Sequence, residues 1–111
     1  MNEDLAKRTV ASPHWRWMRG MLASDTGLRY DEFTQFMLDD WEGEIPDLAD
    51  PATLGCLLAL VREAWDLPVA VWYPKDGGCC VGVGRMPIPP GRIWTRKTEA
   101  EALVAALEAA P

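Results

Sequence analysis

Apolar positions along the chain fall into two rhythms, one helical and one extended. The longest helical run is Asp50–Trp65, DPATLGCLLALVREAW, in which Leu54, Leu57, Leu58, Val61 and Trp65 repeat at i, i+3, i+4, i+7 and i+11 as a single stripe. Asp50 suits the N-cap, and Pro51 suits the first helical position, where its missing N–H costs nothing. Arg62 and Glu63 fall off the stripe toward solvent. A stripe this broad requires cover, so the remaining chain is expected to organise around this helix. Residues 2–11 form a shorter amphipathic opening with Leu5 and Val10 facing inward, ended by Pro13. Thr98 and Glu101 make a capping box for a last helix, on which Ala100, Leu103, Val104 and Leu107 share one face.

The extended rhythm predicts two hairpins. Trp15–Leu22, WRWMRGML, alternates imperfectly; Gly20 marks a bulge or a close backbone approach, Ser24–Gly27 a turn, and Leu28–Tyr30 a returning strand. Val69–Tyr73 is rich in β-branched and aromatic residues, Pro74–Gly78 is a strong turn, and Cys79–Gly84 is the partner strand. Arg85–Arg92, RMPIPPGR, carries three prolines and reads as an extended loop, followed by a short edge strand at Ile93–Thr95. Between residues 31 and 50, Phe33, Phe36, Met37 and Trp41 have helical spacing, but Gly43 and Pro46 interrupt it, predicting a helical turn and then an acidic loop. The fold class that results is α+β: one antiparallel sheet of four to five strands with helices on both faces, in a single domain spanning 1–111.

Composition narrows the function classes. With 49% hydrophobic and 25% charged residues the chain reads as globular. A net charge of -6 argues against direct nucleic-acid binding, which depends on neutralising phosphates with Lys and Arg. No apolar run approaches a membrane span, and MNEDLAKR lacks the apolar core of a signal peptide, so an intracellular location is expected. The three cysteines Cys56, Cys79 and Cys80 make no even framework; adjacent Cys79 and Cys80 point to opposite faces of a strand, and reduced thiols are expected.

Catalysis finds little support: His14 is the sole histidine and stands in no nucleophile motif. Adjacent cysteines are not a CxxC pair, DDWEGEIPDLAD lacks calcium-loop spacing, and the GxG of GGCCVGVG has no strand–turn–helix context. No cofactor, metal or enzymatic activity is therefore expected. Charge segregation says more. Asp31–Asp50 holds eight acidic residues and no basic one, whereas Gly77–Thr98 holds four basic residues and no acidic one. Lys7, Arg8, Arg16 and Arg19 form a second basic cluster. Both basic clusters interleave with tryptophan, an unusual residue to find six times in 111 positions. A guanidinium can hold a phosphate bidentately while an indole stacks on a base. Arg16, Trp17, Arg19, Trp72, Arg92, Trp94 and Arg96 are accordingly the candidate ligand-binding residues, converging on one pocket. The acidic residues Asp39, Asp40, Glu42, Glu44 and Asp47, with Trp41, offer an alternative: a surface that imitates a phosphate backbone and binds a partner protein.

The opening MNEDLAKR…HWRWM, the central DLADPATLGCLLALVREAW and the ending TEAEALVAALEAAP resemble a group of small tailed-phage and prophage proteins whose pattern is similar to the phage ABA sandwich domain. The resemblance covers about half the chain, chiefly the helices. It implies an accessory role against host defences, in the bacterial host cytoplasm and as a homo-oligomer. Architecturally it is similar to the anti-Thoeris sponges, which trap cyclic ADP-ribose signals without cleaving them. The resemblance thus implies a non-catalytic protein that sequesters a small signalling nucleotide. The alternative is an inhibitor that binds a host defence complex such as CRISPR-Cas through the acidic stretch.

Overall fold

The computed structural model describes residues 2–31 and 43–111. They form α1 (Asn2–Val10), α2 (Pro51–Trp65), β1 (Val69–Trp72), β2 (Cys79–Val83), a 3-10 turn (Pro90–Arg92), β3 (Ile93–Arg96) and α3 (Glu99–Glu108). The fold is α+β, with three α-helices and one antiparallel sheet in the order β1-β2-β3 among the described residues.

Local chemistry sets the helix ends. Asp50 caps α2 by accepting from the Thr53 backbone N–H at 3.0 Å, and Asp66 closes it in the left-handed region at φ 53°. Thr98 caps α3 by accepting from the Glu101 N–H at 3.2 Å. In α1, Glu3 and Asp4 occupy the first turn and Lys7 and Arg8 the last, the order that complements the helix dipole. Leu5 is buried as expected, but Ala6 and Thr9 complete the inward face while Val10 stays half-buried.

Of the stripe on α2, Leu57 and Val61 are fully buried, whereas Leu54, Leu58 and Trp65 are half-buried. Thr53 and Leu60 take the central positions instead. Thr53 tolerates burial because its hydroxyl donates to Asp50 Oδ2 at 2.9 Å and accepts from the Leu22 N–H at 2.9 Å. The hub of the molecule is α3 rather than α2. Ala100, Ala102, Leu103, Val104, Ala106 and Leu107 are all buried, spread around more than half of that helix. It contacts β2, β3, α1 and α2.

Among the described residues the sheet has three strands, and the expected four to five are not confirmed. Val69 pairs with Val83 and Trp72 with Cys80 in the β1–β2 hairpin, while Cys79 pairs with Arg96 and Gly82 with Ile93 between β2 and β3. The expected first hairpin survives only as isolated bridges, Leu22 with Arg29 and Ala23 with Pro46. Gly20 explains this: at φ 100° it turns the chain out of extended conformation, so WRWMRGML cannot run through as a strand.

Alternation puts Cys79, Val81 and Val83 on one face of β2, and these join the core cluster shared with all three helices. Across the opposite face, Gly82 lies beneath the indole of Trp72 and the side chain of Ile88 from the proline-rich loop. Among the described residues, the helices pack on the Cys79, Val81 and Val83 face of the sheet, and the proline-rich loop covers Gly82 on the other. No helix among the described residues is long and apolar enough to cross a membrane.

Candidate functional site

Three segments far apart in sequence build a cleft of about 340 Å³. Strand alternation places Trp94 and Arg96 together on the helix-facing side of β3. On α3, Glu101, Ala105 and Glu108 recur at i, i+4 and i+7, occupying the face left over by the buried residues. On α1, Leu5 and Arg8 lie one turn apart and close the remaining wall. Arg8 grips Glu108 with two bonds, Nη2 to Oε1 at 2.5 Å and Nε to Oε2 at 3.3 Å. That pairing raises the Arg8 pKa, first through the hydrogen bond with Glu108 and then through its charge. Among the described residues no carboxylate is bonded to Arg96; its Nη1 donates to the neighbouring Thr95 carbonyl at 2.8 Å.

The seven ligand-binding residues expected from the sequence do not converge on one pocket. Trp94 and Arg96 share the cleft just described. Arg16 is held at 2.6 Å by Glu63 of α2, beside a separate cleft of about 340 Å³ that includes His14 and Trp15. The same bond holds the Glu63 carboxyl below its ordinary pKa. Trp17 packs edge-on against Trp15 and stacks with Tyr30, 6.1 Å between centroids. Arg19 is exposed, and its backbone carbonyl accepts from Cys56 Sγ at 3.4 Å. Arg92 lies over the Trp65 ring, 5.4 Å from its centroid, while Trp94 meets that ring at a tilt with centroids 5.9 Å apart. Trp72 sits across the other face of the sheet, 37% exposed. Proximity in sequence between arginine and tryptophan therefore does not translate into one site, because alternation and helix contacts send neighbours to different surfaces.

Of the alternative acidic surface, Asp39, Asp40, Trp41 and Glu42 lie outside the described residues. Glu44 is half-buried, with Oε1 shut away from solvent and from any hydrogen-bond donor. Asp47 Oδ1 accepts from the Ala49 N–H at 2.9 Å, and the residue joins Glu3 and Asp25 around a small cleft of about 80 Å³.

Sequence reasoning missed Glu101 and Glu108 as cleft residues. Glu101 carried a capping-box signal that explained it locally, and Glu108 gave no signal beyond helix amphipathicity. Arg8 stood out only as one of a basic cluster. All three cysteines are free, with burial pushing the Cys79 and Cys56 thiols up. Among the described residues no group of three or more His, Cys, Asp or Glu side chains is arranged to hold a metal ion. No protein-family profile, curated protein or solved structure matches the chain.

Proposed function

We propose that this chain is a non-catalytic binding protein that holds a small phosphorylated, base-containing ligand in the cleft between α1, β3 and α3. One observation carries the reading: Trp94 and Arg96 line the same cleft, and among the described residues Arg96 is bonded only to a neutral carbonyl. The indole offers a flat surface for a base, and the guanidinium offers donors for a phosphate. A volume near 340 Å³ falls at the small end of ligand sites, suiting a mononucleotide rather than a long polymer. The resemblance to phage accessory proteins extends this to sequestration of a signalling nucleotide in the bacterial host cytoplasm, by a homo-oligomer.

A thermal-shift panel of nucleotides tests the reading on the full chain. A ligand at a hundred times its Kd stabilises the folded state by about 2.7 kcal/mol, a rise of several degrees in Tm. Trp94→Ala and Arg96→Ala should each abolish the shift while leaving the circular-dichroism spectrum intact. A panel in which no nucleotide moves the Tm would sink it.

A second reading, an acidic inhibitor that docks on a host defence protein, is favoured by the meeting of Glu3, Asp25 and Asp47 at one small cleft. Reversing the charge of Asp25 and Asp47 should then release a co-purifying host protein; unchanged co-purification would count against it.

A further inference from the structure

Charge balance in the cleft decides more than the presence of a phosphate site. We infer that the α1–β3–α3 cleft selects a nucleoside monophosphate over the corresponding di- and triphosphate; this rests on the nucleotide reading above.

Four charged side chains line the cleft, Arg8 and Arg96 against Glu101 and Glu108, so their formal charges cancel. They are not equally committed. Arg8 and Glu108 satisfy each other through two bonds across the α1–α3 wall. That leaves Arg96 and Glu101 without a bonded partner of opposite charge among the described residues, the Glu101 charge acting on Arg8 only through space. Arg96 can exchange the neutral Thr95 carbonyl for a phosphate oxygen at little cost, because charge-assisted hydrogen bonds are roughly twice as strong as neutral ones. One guanidinium accommodates one phosphoryl group. A second or third phosphate would enter a cleft with no further uncommitted cation and would face the Glu101 carboxylate, a like-charge contact in a partly desolvated setting.

Glu101 also asks something positive of the ligand. As an ionised carboxylate it only accepts hydrogen bonds, so a bound ligand must present donors there or leave it poorly solvated. The exocyclic amine of a base and the vicinal hydroxyls of a ribose both supply donors of that kind. The preferred ligand is then anionic at one end, flat in the middle and donor-bearing beside the carboxylate. The Trp94 indole lines the same cleft as both charged groups and offers the surface on which the flat portion would rest.

Isothermal titration of the full chain with AMP, ADP, ATP, 2′-deoxy-AMP, IMP and inorganic phosphate tests this. AMP should bind at least tenfold tighter than ATP, with ADP between them. Glu101→Gln should narrow that ratio at least threefold; the wild-type ratio stands as a test even if the variant folds poorly. Weaker binding of IMP alone assigns the donor to the base amine, and weaker binding of 2′-deoxy-AMP alone assigns it to the ribose; both support the inference. ATP binding as tightly as AMP overturns the selectivity and leaves the nucleotide reading standing. Inorganic phosphate matching AMP removes any role for the indole and overturns the inference. Binding of none of the six overturns both.

Discussion

Arg29 holds Asp50 with both ends of its guanidinium, Nη1 to Oδ2 at 2.8 Å and Nη2 to Oδ1 at 2.9 Å. The same carboxylate caps α2 through Thr53, so one side chain fastens the helix start to the irregular N-terminal third. Arg29 Nη1 also donates to the Gly20 carbonyl at 3.0 Å, tying in the turn that interrupts the expected first strand. Arg29 and Thr53 together keep the Asp50 carboxyl well below the usual carboxylate range, Arg29 contributing most.

Asp50→Ala should therefore destabilise the protein by about 1–2 kcal/mol from the lost cap alone, measured by urea denaturation. The depressed pKa adds a pH signature. Its contribution is complete above the unfolded carboxyl pKa, about 3.9, and is lost as pH falls from there toward the folded value. Tm measured from pH 5 down to pH 2 should drop less steeply for Asp50→Asn than for the wild type. Parallel curves would show that the pair contributes no linkage.

Trp65 fills a gap at the end of α3. The Ala110 N–H bonds to the Leu107 carbonyl, so the Ala106 carbonyl is left without its helical donor, and the Trp65 indole N–H supplies one at 2.8 Å. His14 similarly meets the Ala110 carbonyl at 3.3 Å. Trp65→Phe keeps an aromatic ring, though a smaller one, and deletes the donor. We expect a loss of roughly 1–3 kcal/mol in chemical denaturation, the cost of an unmade bond at a partly buried acceptor. A change within experimental error would mean that water replaces the indole.

Two glycines, Gly78 in the turn before β2 and Gly82 within β2, should respond differently to alanine. At Gly78, φ is +81° and an added Cβ would sit 2.6 Å from the Arg96 carbonyl oxygen, a backbone atom that cannot move aside without disturbing β3. At Gly82 the obstacles are side chains, Ile88 Cδ1 at 2.8 Å and the Trp72 ring at 3.0 Å. Both substitutions should destabilise, Gly82→Ala by about 1 kcal/mol and Gly78→Ala by roughly 2–3 kcal/mol. The reverse order in Tm would contradict the stated packing.

Arg16 and Arg96 separate the cleft from the other arginines. Arg16 is engaged by Glu63 at the surface, away from the residues around Trp94. Arg16→Ala should leave any nucleotide-induced thermal shift unchanged, while Arg96→Ala should remove it. Equal losses would restore the single converging pocket that the arginine–tryptophan pattern suggests.

Sequence alone determined what depends on a few neighbouring residues. Asp50-Pro51 and Thr98 fixed two helix starts, and the glycines after Pro74 fixed the hairpin that joins β1 to β2, because caps and turns are satisfied by groups within about four positions. The interleaving of Trp94 with Arg92 and Arg96 was legible too, but the expected edge strand stopped at Thr95, one residue short of the strand that puts Trp94 and Arg96 on one face. Tertiary structure decided which faces meet. Arg8 and Glu108 are 100 residues apart and touch only because α1 lies along α3. The stripe on α2 was visible, but the hub is α3, whose short run of alanine and small apolar residues lets several elements approach it closely at once. Burial is a property of the whole chain, set by how its apolar surfaces share a limited interior, so no local pattern could rank one helix above another or bring the three walls of the cleft together.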